Sequence, residues 1–347
     1  MHKIQFHTER IIFFLFILLV FSSCSKKDDL SNLEDTIMVR HKDADMPAYI
    51  YGNGSEKVFL ITLHGGPGGL GLGFRGTSFD LIEENCAVVY FDQRGSGMAQ
   101  GSYSEEGITI DIMAEDVLAL VKVIQQKYGS DSRFFLLGHS WGVTLGTATL
   151  LTDQNPFLGW ICVDGTHNSR DLYLEYIANF ERVAAEQIEL GNSVPFWESV
   201  NELILEVEPV FNANDISRLN GMAFNAEQKL ISDGFIIRPE GSSADILFSY
   251  NPMTFFWNIL NTQSLLDPGI QGILSYTDRL NEIKIPSLLL WGEHDMVIPP
   301  IVAEEALENL GSDSKQIILF ENSGHSPMHS ESESFAAEVK AFIEMNN

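Results

Sequence analysis

The stretch Gly138-His139-Ser140-Trp141-Gly142 stands between two segments of different character. Before it lie the apolar residues 134–137, and after it the small-residue segment 143–148. A strand, a sharp turn and a helix in this order are the context in which a Gly-x-Ser-x-Gly turn exposes a nucleophilic serine. Glycines at the first and last positions let the backbone pack closely around such a turn. The pattern predicts that the Ser140 hydroxyl is exposed at a strand end, with the Trp141 amide pointing at the same place.

Two later loops supply the other side chains that a serine nucleophile requires. A serine hydroxyl needs a base to take its proton, and the base needs a carboxylate to hold its ring. Asp295 follows the apolar run 288–291, and His325 follows the apolar run 317–320. Because the carboxyl ends of parallel strands share one edge of a sheet, these side chains can meet Ser140 there. We predict Ser140 as the nucleophile, His325 as general base and acid, and Asp295 as the residue that orients His325.

Other polar residues near these loops suit structural or competing roles. Glu293 and His294 stand close enough to Asp295 to compete for its role. Asp92 and Arg94 suit either an ion pair that ties down a loop or a contact with substrate. Structural roles are assigned to three further histidines, His64, His139 and His329. The chain shows no cluster with metal-ligand spacing, so neither a metal nor a cofactor is expected.

A glycine-rich loop follows the strand predicted over residues 57–63. Residues 64–69 read His-Gly-Gly-Pro-Gly-Gly, and glycines allow the main chain to approach a substrate closely. An acyl-transfer reaction needs donors aimed at the oxyanion that develops in the transition state. We expect the amides of Gly66 and Trp141 to form this oxyanion hole, with Gly65 as the alternative to Gly66.

Short apolar runs, bounded by turn residues, recur along the chain and predict eight strands. They cover residues 36–41, 47–51, 57–63, 86–91, 133–137, 158–163, 286–291 and 315–320. Several are apolar throughout, as in strands buried on both faces, and helical patterns lie between them. The predicted fold class is α/β, with a mostly parallel eight-stranded sheet, helices on both faces and two antiparallel strands at its start.

This alternation of strands and helices stops between residues 166 and 280, where aromatic and helix-forming residues dominate. Helical patterns there cover residues 172–187, 194–206 and 245–261, without a convincing strand. An insertion of this length between two strands predicts a helical cap over residues 166–280. The sheet domain is then expected over residues 36–165 and 281–347.

The composition limits the classes of partner. The 347 residues include 48 acidic and 21 basic side chains, a formal net charge of −27, so a nucleic-acid ligand is not expected. Cys86 and Cys162 fall on predicted strands that are not neighbours in the sheet. We therefore expect two buried free thiols rather than a disulfide.

The N-terminus has the features of a bacterial lipoprotein signal peptide. Lys3 and Arg10 flank the start of a run of eleven uncharged apolar residues, 11–21, which is too short to span a bilayer core. The following Ser-Ser-Cys resembles a lipobox, so we expect residues 1–23 to be removed and Cys24 to carry lipid. Residues 24–35 then form a polar tether. The expected location is the bacterial cell envelope, anchored in the outer membrane and either periplasmic or surface-exposed.

Together these motifs resemble those of the proline iminopeptidases, a branch of the α/β-hydrolases. The matching segments are residues 64–69, 92–97, 138–142 with Gly146, 292–295 and 324–327, and the order serine, aspartate, histidine is that of this fold. The resemblance implies Ser140 as nucleophile, His325 as base and acid, and Asp295 as its partner. It also implies cleavage of an N-terminal residue, often proline, from short peptides without a cofactor. Cap glutamates would bind the substrate ammonium group.

The predicted cap departs from that family's pattern. Its acidic substrate-binding motif, similar to Ile-Glu-Asn-His-Tyr-Phe, has no match, and residues 245–256 read Asp-Ile-Leu-Phe-Ser-Tyr-Asn-Pro-Met-Thr-Phe-Phe instead. Glu198 is the candidate amine anchor, although it equally suits an exposed helix face. Two alternatives to an aminopeptidase stay open. One is an esterase or lipase-like hydrolase with the same triad, and the other is a lipoprotein that binds a ligand in the cap cleft without catalysis.

Overall fold

The computed structural model describes residues 29–101, 108–169, 171–207, 213–239, 250–265 and 274–347. Residues Ser31–Asn347 form one compact unit. The predicted signal peptide, residues 1–23, and the predicted lipid-bearing Cys24 lie outside the described residues. The first strand begins at Leu33, before the predicted start of the sheet domain at residue 36. Within the described ranges, no helix is long and apolar enough to cross a membrane.

One sheet of nine strands runs through the described part of the chain. The strands are β1 Leu33–His41, β2 Ala44–Gly52, β3 Val58–Leu63, β4 Ala87–Phe91, β5 Gln100–Gly101, β6 Arg133–His139, β7 Phe157–Val163, β8 Ser287–Gly292 and β9 Lys315–Phe320. Their order is β1-β2-β4-β3-β6-β7-β8-β9, with β5 paired to β2. β2 pairs antiparallel with its neighbours β1, β4 and β5, and the remaining pairs are parallel. The predicted α/β class with a mostly parallel sheet is confirmed.

All eight predicted apolar runs lie on strands of this sheet, and β5 is the one described strand that was not predicted. β5 has two exposed residues, so it carries no apolar pattern that a sequence reading could detect. Strands β3 and β4 are buried at every residue, as expected for the centre of a parallel sheet. Strands β3 and β6 separate β4 from β7, so Cys86 and Cys162 are buried free thiols, as predicted.

Helices cover both faces of the sheet. The helices of the sheet domain are α1 Thr77–Glu83, α2 Ile110–Tyr128, α3 Trp141–Thr152, α8 Ile301–Asn309, α9 Pro327–Ser330 and α10 Ser332–Asn346. On one face, α1 and α10 pack against the sheet through Phe79 and Phe335. On the other face, the Phe59 ring meets Tyr128 of α2, with 5.2 Å between centroids. A Cβ at Gly146 of α3 would lie 2.1 Å from the Trp160 ring, so glycine brings α3 close to β7.

The cap consists of helices inserted between β7 and β8. They are α4 Leu172–Leu190, α5 Val194–Glu206, α6 Ala213–Ser232 and α7 Pro252–Leu265. Helices α4 and α5 match two predicted patterns, whereas the pattern over 245–261 is only partly described, with α7 beginning at Pro252. The sequence reading missed α6. Between β7 and β8, the described residues contain no named strand, only the isolated bridge Asn168–Ser275.

Candidate active site

Ser140 occupies a strained turn between β6 and α3. Its φ of 55° and ψ of −122° are rare for a residue with a side chain. A Cβ at Gly138 would lie 2.4 Å from the carbonyl oxygen of Gly142, and one at Gly142 would lie 2.0 Å from that of Leu63. Both glycines are therefore required by close backbone packing, which is the reason given for them from the sequence. The turn places Ser140 at the carboxyl end of β6.

The imidazole of His325 is hydrogen-bonded to the carboxylate of Asp295. The Nδ1–Oδ2 distance is 2.9 Å, and the two residues are only 7% and 1% exposed. The other Asp295 oxygen, Oδ1, accepts hydrogen bonds from the amides of Val297 (2.7 Å) and Ile298 (2.8 Å). These amides fix the carboxylate, so its Oδ2 is directed at His325. The bond also leaves His325 Nε2 available for another partner.

Glu293 and His294, the two competing residues, have other surroundings. The His294 ring packs edge-on against Phe235, with 5.9 Å between centroids. The Glu293 amide donates to the carbonyl of Phe320, and its side chain is exposed. Asp295 is therefore the member of this triplet that contacts the His325 ring.

His139, directly before Ser140, connects the serine turn to the His325 loop. Its Nε2–H donates to the carbonyl oxygen of His325 at 2.8 Å, and the two ring centroids are 4.9 Å apart. Burial, and next the charge of His325, hold the pKa of His139 well below its usual value. A neutral imidazole with its proton on Nε2 can donate this hydrogen bond. His139 thus holds the His325 loop beside Ser140.

The pKa of His325 reflects two opposing influences. Burial lowers it, whereas the charge and hydrogen bond of Asp295, together with the charge of Glu227, raise it. The net shift is upward from the ordinary value of 6.5. A more basic imidazole accepts a proton more readily, which suits a group that must receive the proton of a serine hydroxyl.

A second buried aspartate, Asp164, lies near enough to Asp295 for its pKa to respond to that charge. It follows β7, is 0% exposed, and its Oδ1 accepts a hydrogen bond from the amide of Gly292 at 2.8 Å. Burial, and then the charge of Asp295, raise its pKa well above the usual value. Of the groups that the structure describes, none donates a hydrogen bond to Asp164 Oδ2. Asp164 is thus a buried carboxyl group whose raised pKa favours the protonated form, and no motif in the sequence revealed it.

The glycine-rich loop after β3 lies against the serine turn. A Cβ at Gly65 would lie 3.0 Å from the Cβ of Ser140. Gly66 has a φ of 127°, a conformation that favours glycine. Trp141 is the first residue of α3, so its amide belongs to the four that lack an intrahelical acceptor. The structure thus brings the predicted oxyanion residues Gly65, Gly66 and Trp141 to the same end of the sheet as Ser140.

Gln93 connects the glycine-rich loop to the serine turn, a role that the sequence did not suggest. Its Nε2 donates to the carbonyl oxygen of His64 at 3.0 Å, and its Oε1 accepts from the indole Nε1 of Trp141 at 3.3 Å. The side chain of His64, whose pKa burial lowers to about 4, donates from Nδ1 to the carbonyl oxygen of Gly65 at 2.9 Å. These hydrogen bonds make the glycine-rich loop and the serine turn a connected unit.

Asp92 and Arg94 do not form the ion pair suggested by their spacing. Arg94 instead makes a buried pair with Asp116 of α2, with 2.6 Å between Nη2 and Oδ1. Asp92 accepts hydrogen bonds from the amides of Gly71 and Met98, each at 2.8 Å. Both residues do tie down the loop after β4, but they do so through other partners: Asp116 for Arg94, and main-chain amides for Asp92. The ion-pair prediction was therefore wrong in its partners.

The acidic cap residue that reaches the loops carrying Asp295 and His325 is Glu227, not Glu198. Glu198 is exposed on α5, beside the buried Trp197. Glu227 is nearly buried on α6, and its Oε1 accepts hydrogen bonds from the amides of Met296 and His325, each at 3.0 Å. The buried α6 residues Leu219, Ala223, Ala226 and Leu230 have helical spacing. That spacing is the sequence signal that could have revealed α6.

A sequence model of the alpha/beta hydrolase family matches residues 60–338 of the chain. The chain belongs to this family. The "Probable aminopeptidase YbaC" of Bacillus subtilis is 24% identical to it over 321 residues, covering 90% of this chain and 93% of that protein. A "Proline iminopeptidase" of Saccharolobus solfataricus is 26% identical over 288 residues, covering 82% and 84%. The resemblance to proline iminopeptidases is thus confirmed.

Solved structures share the fold at low sequence identity. VinJ has a TM-score of 0.64 and 19% identity, covering 90% of this chain and 99% of its own. The proline iminopeptidase of Mycobacterium smegmatis has a TM-score of 0.59 and 15% identity, with 90% and 98% covered. An esterase from Exiguobacterium antarcticum has a TM-score of 0.57 and 19% identity, with 90% and 100% covered. These likenesses show the fold, and the fold hosts both activities.

The raised pKa of His325 predicts the pH dependence of reaction at Ser140. The rate of labelling by a fluorophosphonate probe should fall as pH decreases through this pKa, because an imidazolium cannot accept the serine proton. The midpoint of the acid limb should lie above 6.5. Asp295→Asn should lower that midpoint and slow labelling by about ten-thousand-fold. The pH profile of the labelling rate, with NMR titration of the His325 ring, measures both effects.

His294→Gln is the matched control for this prediction. It changes a neighbour of Asp295 without removing the contact with His325, so the acid limb should not move. An acid limb that is the same in wild type and Asp295→Asn would contradict the assigned pairing. A shift of the acid-limb midpoint in His294→Gln would contradict the choice of Asp295 over His294.

Asp164 should act as a neutral hydrogen-bonding group, which accepts from the amide of Gly292, rather than as a charge. Asparagine reproduces a protonated aspartate and tolerates the φ of 41° at this position. Asp164→Asn should therefore label within about tenfold of the wild-type rate. Asp164→Gly removes the side chain without backbone strain and should be slower by a further tenfold or more, since a lost buried hydrogen bond costs about 1–3 kcal/mol. Equal loss in both variants, at unchanged melting temperature, would indicate that the charged carboxylate is needed.

Proposed function

We propose that this hydrolase uses Ser140 as its nucleophile and passes through an acyl-enzyme. The observation that carries the proposal is the His325–Asp295 hydrogen bond of 2.9 Å, held beside Ser140 through His139. Because Nδ1 of His325 faces Asp295, its Nε2 is the atom that takes the Ser140 proton. The serine oxygen then attacks the substrate carbonyl carbon, and the carbonyl oxygen becomes an oxyanion.

The remaining steps use the same residues in reverse roles. His325 gives its proton to the leaving amine or alcohol, the bond to that group breaks, and an ester of Ser140 remains. Water then gives a proton to His325 and attacks the ester, and the acid is released as Ser140 regains its proton. The amides of Trp141 and Gly66, with Gly65 as the alternative, donate to the oxyanion, a contribution of about 3–4 kcal/mol for one donor.

The substrate class that we favour is a short peptide with a free N-terminus, from which the N-terminal residue is released. The support is the similarity, over most of both chains, to proteins named aminopeptidase and proline iminopeptidase. The segments that match lie around Ser140, Asp295 and His325 and in the glycine-rich loop. The chain is therefore proposed as a proline iminopeptidase-like aminopeptidase.

Ester hydrolysis is the second candidate, and one feature of the cap favours it. Helix α7, Pro252–Leu265, has no acidic or basic residue. Four large apolar side chains in its described part are exposed, namely Met253, Phe256, Trp257 and Leu260. An uncharged apolar surface suits an acyl or alkyl group better than a peptide ammonium group.

Two measurements on purified full-length protein test the proposed reaction and its substrate. A fluorophosphonate probe should label the wild type, and Ser140→Ala should remain unlabelled while keeping its melting temperature. Proline and alanine naphthylamides should be hydrolysed with a larger kcat/KM than short acyl p-nitrophenyl esters. Strong ester turnover without any aminoacyl amide turnover would transfer the assignment to an esterase. An intact mass without the probe adduct would favour a ligand-binding protein without catalysis.

We further propose that the enzyme is anchored to the cell envelope through lipid on Cys24. The support is sequence alone: a charged start, the apolar residues 11–21 and the Ser-Ser-Cys segment. Expressed in a bacterium, the full chain should incorporate labelled fatty acid and sediment with membranes. Cys24→Ser should abolish both, whereas Cys86→Ser, at a buried free thiol, should leave both unchanged. The anchor would be refuted if the wild-type protein incorporated no fatty acid and stayed in the soluble fraction.

A further inference from the structure

We propose that Glu227 of the cap is a positioning residue, which assembles the His325–Asp295 pair by joining the two loops that carry it. This inference rests on the proposed serine hydrolase, because it concerns the base and acid of that reaction. It assigns to the cap a role in building the reacting groups, in addition to covering the substrate.

One oxygen atom makes the connection. Glu227 Oε1 accepts a hydrogen bond of 3.0 Å from the amide of Met296, which directly follows Asp295. The same atom accepts a hydrogen bond of 3.0 Å from the amide of His325 itself. The loops after β8 and β9 are thus fastened to each other through a side chain from a third element. One bond holds the backbone next to Asp295, and the other holds the backbone of His325.

The residues around Glu227 leave space for its carboxyl group and supply two hydrogen-bond donors. The residue is only 9% exposed, although a carboxyl group loses much solvation free energy when it is buried. A Cβ at Gly324 would lie 2.8 Å from Glu227 Cδ, so glycine at this position leaves room for the carboxyl group. Both amides that it accepts from are main-chain donors, which would be left unpaired without it.

The position of the acceptor matters more here than its charge. Burial, and then the charge of Asp295, raise the pKa of Glu227 to about 8, although the charge of His325 and the two amides oppose this shift. A protonated side chain would still offer Oε1 as a carbonyl acceptor, so the two hydrogen bonds do not require the charge. A glutamine places the same kind of atom at the same distance from the backbone.

Other cap contacts converge on the same loops. Phe224, one turn before Glu227 on α6, packs edge-on against the His325 ring, with 6.2 Å between centroids. Asn179 of α4 donates from Nδ2 to the carbonyl oxygen of Asp295 at 3.5 Å. The amide of Ile237 donates to the carbonyl of Asn322 at 2.8 Å. The cap therefore meets the loops after β8 and β9 at several points, and Glu227 is the contact shared by both.

The test compares three single variants of the full-length protein. Glu227→Ala removes the acceptor. Glu227→Gln keeps an oxygen acceptor and removes the titratable group. Asn220→Ala is the matched control on the same helix, because Asn220 accepts a hydrogen bond from Tyr176 within the cap and is not part of the contact with the catalytic loops. Thermal unfolding of each variant separates local effects from loss of the folded state.

Two readouts distinguish positioning from general stability. The first is the second-order rate of fluorophosphonate labelling, which should fall about a hundredfold in Glu227→Ala, since a displacement near 1 Å has this effect. Glu227→Gln should stay within about tenfold of wild type, the cost of a weaker hydrogen bond. The second is the downfield proton resonance of the His325 Nδ1–H, which reports the bond to Asp295 without any reaction. It should persist in Glu227→Gln and disappear in Glu227→Ala.

Several outcomes would overturn the proposal. They are wild-type labelling and an intact resonance in folded Glu227→Ala, equal losses in Glu227→Gln and Glu227→Ala, and an equal loss in Asn220→Ala. If wild-type protein is not labelled at all, the proposed serine chemistry fails. In that case the resonance still decides whether Glu227 holds the His325–Asp295 pair.

Discussion

The site depends on the parallel alignment of β6, β7, β8 and β9. Their register places Val163 opposite both His139 and Leu290, and Gly292 opposite Phe320. Each strand therefore ends at the same edge of the sheet, and the loop after each strand begins there. Ser140, Asp164, Asp295 and His325 each belong to one of these four loops. The pairing of the strands alone therefore brings these four residues to one edge of the sheet.

Burial then determines which protonation states this edge of the sheet can hold. Asp164, Glu227 and Asp295 are all nearly inaccessible to solvent, and three adjacent buried carboxylates would repel one another strongly. The pKa values of Asp164 and Glu227 are raised, which reduces this repulsion, while Asp295 has two amides and the His325 ring as hydrogen-bond partners. The hydrogen bond from His325 Nδ1 to Asp295 Oδ2 is the contact that orients the ring.

The sequence predicts what local pattern encodes and misses what depends on distant partners. The eight strands are detectable because they are continuous apolar runs, and the serine turn because its glycines have a local steric cause. Asp295 and His325 follow two of those runs, so topology brings them together. Gln93 and Asp164 have no such signature, since their partners lie on other loops. Arg94 shows the same limit, because its true partner Asp116 lies on α2.

Helix α6 is the case in which this limit matters most for function. Its buried residues have helical spacing, yet many are small, so the apolar signal is weak, and Glu227 reads as one more solvated charge in a chain with 48 acidic residues. Only the folded chain shows that this carboxyl group is buried on two main-chain amides. The cap is thus constrained where it meets the loops after β8 and β9, through Glu227, Phe224 and Asn179.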